Sequence, residues 1–132
     1  MGYTDFDISE YLKKYLGSVQ DNTTVITNTD DINVSSIDDG VIIVLAVWSG
    51  PAHANCIATI KELYKQNYTG QIFVIDNDCM LDNDFQLVTF GKVCHGWGEI
   101  FIVKGGQITQ QFRTGDSFKN FKVYYDEQQH SR

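Results

Sequence analysis

The chain has one proline, Pro51, and three cysteines, Cys56, Cys79 and Cys94, in 132 residues. One proline leaves no proline-rich linker, and no two cysteines form a C-x-x-C pair. An odd, widely spaced set fits neither a disulfide framework nor a structural zinc site, so reduced, mostly buried thiols are expected. The longest apolar run, residues 41–48, is eight residues, against the roughly 20 that a membrane-spanning helix needs. Basic residues are scarce: ten Lys and Arg face seventeen Asp and Glu, for a net charge of −7. Such a surface repels a phosphate backbone, which argues against nucleic acid, and suits a basic protein partner. The N-terminus carries Asp5, Asp7 and Glu10 where a secretory leader would carry basic charge and an apolar stretch. A soluble, cytoplasmic protein is the expectation.

With 42% hydrophobic residues, the chain can close one core, and residues 1–132 are expected to form one domain. Residues 5–16 read as an amphipathic helix: Phe6, Ile8, Tyr11, Leu12, Tyr15 and Leu16 recur at helical spacing and Gly17 follows. Residues 23–27 read as a short strand, and Ile32, Val34 and Ile37 as anchors of one irregular turn within the polar stretch 28–40. The β-branched run 41–47 predicts a strand buried on both faces. A helix over 51–67 follows, with Pro51 in its first turn, and then a strand over 71–75. Residues 76–84 form an acidic loop and 85–94 a helix or helical turn. Strands 99–103 and 107–112 flank Lys104-Gly105-Gly106, a hairpin signal. A last helix begins near 116, and 126–132 form a polar tail. This order predicts an α/β layer protein with a mixed sheet.

Several residues carry candidate chemistry. Asp76, Asp78, Asp82 and Asp84 could form an acidic binding loop. Counted from Asp76, the sixth and twelfth positions of a calcium loop would be Leu81 and Leu87 instead of Gly and Glu, so that pattern fails. His53, His95 and His130 form no metal constellation, and neither metal nor cofactor is expected. Ser49 fits a helix N-cap, and His53 is the nearest base that could activate it. Cys56 falls on the inward face of its helix, and the carboxylates around Cys79 should raise its pKa.

Three segments resemble the thioredoxin family. The run Val41-Ile-Ile-Val-Leu-Ala-Val-Trp48 is similar to the family's central strand entering its active-site tryptophan. Trp48-Ser49-Gly50-Pro51-Ala52 is similar to W-C-G-P-C with both cysteines replaced. Gly98-Glu-Ile-Phe-Ile-Val-Lys-Gly-Gly-Gln-Ile108 resembles the cis-proline strand and its hairpin. The resemblance spans roughly residues 23–125 and implies a three-layer thioredoxin-like α/β fold, a mixed sheet flanked by helices, with an extra N-terminal helix over 5–17. Ser49 and Ala52 stand where the family has its thiols, Ile43 where it has a buried carboxylate, and Gly98 where it has the cis-proline. Dithiol–disulfide exchange is therefore not expected.

The same resemblance places Trp48, Ser49, Gly50, Pro51, Trp97 and Gly98 around the former substrate groove. There the family holds an extended peptide by backbone hydrogen bonds, which need no cysteine. Trp48 is expected to pack, whereas Trp97, between two glycines, is expected to be partly exposed. Cys94 beside His95 would approach the same end and is a possible reactive thiol. The leading expectation is a redox-inactive protein-binding or regulatory module. The alternatives are a small acidic inhibitor or immunity-type protein that neutralises a basic enzyme, and an enzyme using a single cysteine or non-thiol chemistry at that end.

Overall fold

The computed structural model describes residues 6–80 and 83–130. Helix α1 (Ile8–Leu16) opens on Asp7, whose carboxylate accepts the Glu10 N–H, and ends at Gly17. Strand β1 (Thr23–Ile26) follows. The polar stretch after it folds as two short 3-10 turns, Thr29–Asp31 and Val34–Ser36, where one was expected. Each is capped by an asparagine, Asn28 and Asn33, accepting a backbone N–H two residues on. Strand β2 (Asp39–Leu45), helix α2 (Gly50–Lys65) and strand β3 (Gln71–Asp76) come next. Helix α3 (Asn83–Phe90), strands β4 (Ile100–Lys104) and β5 (Gln107–Phe112) and helix α4 (Ser117–His130) complete the order.

The sheet runs β1-β3-β2-β4-β5. β1, β3 and β2 are mutually parallel, while β4 is antiparallel to both β2 and β5. Val41 to Leu45 are all buried because helices and turns cover both faces of β2. Ile43 and Leu45 meet Ile8 and Leu12 of α1, Cys56 and Ile60 of α2, and Phe121 of α4. Ile42 and Val44 point the other way, into a second core with Ile26, Ile32, Ile37, Met80, Phe90 and Phe101. The three expected layers are present, and α1 is the extra helix.

Two boundaries differ from the sequence reading. The helix expected over 85–94 ends at Phe90, and residues 91–99 run as a loop. The polar tail expected from 126 is helical to His130. Lys122 and Asp126 bond at 2.7 Å one turn apart, and Tyr125 stacks on Phe121 at 5.4 Å, so polar composition there hides an anchored helix end. Among the described residues no helix is long and apolar enough to cross a membrane.

Candidate functional site

The carboxyl ends of β1, β3 and β2 open onto one end of the sheet, the edge where open α/β sheets place their ligands. The turn from β2 into α2 closes with Ser49 N–H on the Ala46 carbonyl at 3.0 Å. Ser49 is the N-cap: its Oγ accepts the Ala52 N–H at 3.3 Å. Gly50 and Pro51 follow, both exposed. His53 Nε2 lies 2.8 Å from the Val47 carbonyl. A carbonyl only accepts, so that nitrogen carries the proton. Tyr11 and Phe6 hold the imidazole edge-on at 4.8 and 5.8 Å. Ser49 and His53 both serve the backbone of this turn and do not form a nucleophile–base pair.

The loop before β4 faces that turn. Gln86, buried on α3, accepts the Cys94 N–H at 2.6 Å, and the Glu99 carboxylate accepts the His95 N–H at 2.6 Å. Glu99 is fully buried, and its other oxygen meets no hydrogen-bonding group among the described residues. Gly96 and Gly98 both adopt φ +84°, and no cis peptide bond occurs among the described residues. A Cβ on Gly98 would lie 3.0 Å from Ala52 Cα and from Asn55 Cβ, so the loop seats directly on α2.

Two side chains pin that seat. Asn55 Nδ2 donates to the carbonyls of Trp97 (2.7 Å) and Gly115 (3.0 Å), and its Oδ1 accepts the Phe118 N–H at 3.1 Å. Ser117 Oγ donates to the Gly98 carbonyl at 2.8 Å. Two carbonyls of the loop therefore turn inward. Gly98, expected on the binding surface, is buried beneath it. The Trp97 carbonyl, on the residue before the position where the resemblance places the proline, is taken by Asn55.

Both tryptophans reach solvent. Trp48 is 48% exposed and Trp97 44%. Trp48, expected to pack, lies across Gly96, where any Cβ would collide with its ring. Trp97 rests beside Gly115, whose Cβ position is 3.3 Å from its ring. Trp48 Nε1 donates to Asp78 Oδ1 at 3.1 Å, which joins the acidic segment to the tryptophan site. Asp76 accepts the Asp78 N–H at 2.9 Å, and burial, ahead of the Asp78 charge, raises its pKa. Asp84 lies in the first turn of α3, so the acidic loop is shorter than expected. Asp82 lies outside the described residues.

The thiols are held protonated. Burial pushes Cys56 up to about 12. Cys79 rises to about 11 through burial and then Asp76 and Asp78. Cys94 rises to about 12 through burial and then Glu99, against an opposing contribution from Arg113. Cys94, the possible reactive thiol beside His95, is buried. Ile43, at the position of the family's buried carboxylate, is core, whereas Glu99 is the buried acid at this end. No three metal-ligating side chains lie close enough to hold an ion among the described residues.

No protein-family model and no curated protein matches the chain. Solved structures do. Oxidised thioredoxin O2 from Arabidopsis thaliana superposes with TM-score 0.64 at 16% identity, covering 82% of this chain and 96% of that one. Oxidised mitochondrial thioredoxin 3 from Saccharomyces cerevisiae gives TM-score 0.60 at 17% identity, covering 85% and 97%. A wild-type poplar thioredoxin h gives TM-score 0.58 at 20% identity, covering 80% and 95%. At these identities the likeness is one of fold, and the fold of this chain is thioredoxin-like.

Proposed function

We propose that this chain is a redox-inactive, single-domain thioredoxin-like protein that binds another protein through the end of the sheet carrying Trp48 and Trp97. The observation that carries the reading is the pair of indoles, each about half exposed and each seated on a glycine. Exposed tryptophan in a fixed setting is the residue type most often found to anchor interfaces. Ser49, Gly50, Pro51 and Asp78 border the pair. Loss of redox chemistry is supported by Ser49 and Ala52 at the motif positions and by thiols that burial keeps protonated. The Trp48–Asp78 hydrogen bond also joins the groove and the acidic segment, which the sequence treats as rivals, into one surface.

Capture from lysate of the native host tests the reading. Wild type should retain a partner that Trp97→Ala loses while melting normally. A partner held equally by both proteins would move the interface elsewhere. Disulfide exchange is tested separately: the protein should not accelerate reduction of insulin by dithiothreitol, and acceleration would refute the redox-inactive part.

A further inference from the structure

Charge is distributed unevenly along the chain. Residues 15–60 and 66–91 hold nine of the seventeen carboxylates and none of the ten Lys and Arg. These segments build β1, both early 3-10 turns, β2, most of α2, β3 and α3. Parallel pairing of β1, β3 and β2 then brings Asp30 and Asp31, after β1, to the same sheet end as Asp76, which closes β3, and Asp78, which follows it. Trp48, after β2, stands beside them and donates its indole N–H to Asp78. No ion pair among the described residues involves these four carboxylates.

Among the described residues, Lys92 and Arg113 stand at the loop that carries Trp97. Lys92 lies in the loop after α3. Arg113 donates to the Val93 carbonyl at 3.1 Å and to Gln111 Oε1 at 3.2 Å, and its guanidinium sits 5.3 Å over the Phe101 ring. The Trp48 side therefore presents a half-exposed aromatic ring bordered by carboxylates that no basic side chain among the described residues pairs with.

Resting on the protein-binding reading above, we propose that the segment docked at Trp48 is basic. An arginine or lysine of the partner would lie against the Trp48 ring with its charge toward Asp78 and Asp76. An aromatic face attracts a cation through its quadrupole, and an adjacent carboxylate adds a charge-assisted hydrogen bond. An acidic segment would meet like charge there, and an uncharged one would leave the carboxylates to be desolvated without a counter-charge.

The test uses fluorescence anisotropy with labelled peptides of one length, alternating Gly with Arg, Gln or Glu. The full chain should bind the Arg peptide and not the Gln or Glu peptides. Asp78→Asn keeps an oxygen for the Trp48 N–H and removes only the charge, and it should weaken Arg-peptide binding about three- to fivefold. Trp48→Ala should weaken it as much. Glu127→Gln, an equal change of charge on exposed α4, should stay within about twofold. Equal losses from Asp78→Asn and Glu127→Gln, Gln-peptide binding as tight as Arg, or no Arg-peptide binding would each overturn the basic-segment proposal. Any of these alongside a Trp97-dependent lysate partner would leave the interface reading standing. A lysate partner indifferent to Trp97→Ala would overturn that reading instead.

Discussion

The two ends of the sheet use the same kinds of side chain in opposite ways. At the amino end of β2, Asp39 accepts from Tyr68 Oη at 2.8 Å and from Lys104 Nζ at 2.9 Å. Tyr68 lies edge-on to Tyr125 at 6.5 Å, while burial and the Asp39 bond hold its phenol well above the ordinary tyrosine range. Charge and ring are both consumed by the fold. At the carboxyl end, Asp78 meets an indole N–H, and two indoles remain about half exposed. Polar groups that satisfy one another serve stability, whereas aromatic surface left beside unneutralised charge is available to a partner. The contrast is what motivates the proposal that a partner docks at the carboxyl end.

The sharpest way to break the contrast is to spoil the seat of the Trp97 loop on α2. Gly98→Ala adds a Cβ at φ +84° within about 3 Å of Ala52 and Asn55, and should cost about 2–4 kcal/mol by denaturant unfolding. Gly50→Ala, whose Cβ meets nothing within 4 Å, should be neutral or slightly stabilising. Asn55→Leu strands two carbonyls and one N–H, and should cost about 2–3 kcal/mol while shifting Trp97 emission. Ser49→Ala removes only the cap, an expected loss of about 1 kcal/mol in thermal unfolding.

Asp76→Asn probes charge alone and should have a small effect. Because burial raises the folded pKa of Asp76, the native state binds the proton more tightly than the unfolded chain does. Its contribution is fully present below the unfolded pKa and is lost as pH rises through the folded value. Asp76→Asn should therefore remove a fall in stability with rising pH across the carboxylate range and slightly stabilise the protein at neutral pH. A variant that is less stable at neutral pH would show that the carboxylate is paired.

Much of the fold was legible because it rests on local pattern. The β2 run, the Lys104-Gly105-Gly106 hairpin, the α1 periodicity and the Ser49 cap are each readable within a few residues. The features that shape the site are long-range. Trp48 to Asp78 spans 30 positions, and Asn55 reaches 42, 60 and 63 positions along the chain. Asn55 did leave a signal, an amide on the inward face of α2 beside Cys56. Glu99 left none, since an acid before a strand ordinarily faces water. The exposure of Trp48 depends on Gly96, 48 positions along the chain, which lies against one side of its ring. The C-terminal residues read as a tail because Lys122–Asp126 pairing and the Tyr125–Phe121 stack depend on where α4 docks.

The measurement that tests the central claim most directly is the affinity of the captured partner for wild type and for Trp97→Ala, with melting followed in parallel. A central tryptophan anchor is worth about 2 kcal/mol or more, so the account predicts at least about a 30-fold loss at unchanged melting temperature. Affinities within about twofold of each other, with both proteins folded, would contradict it.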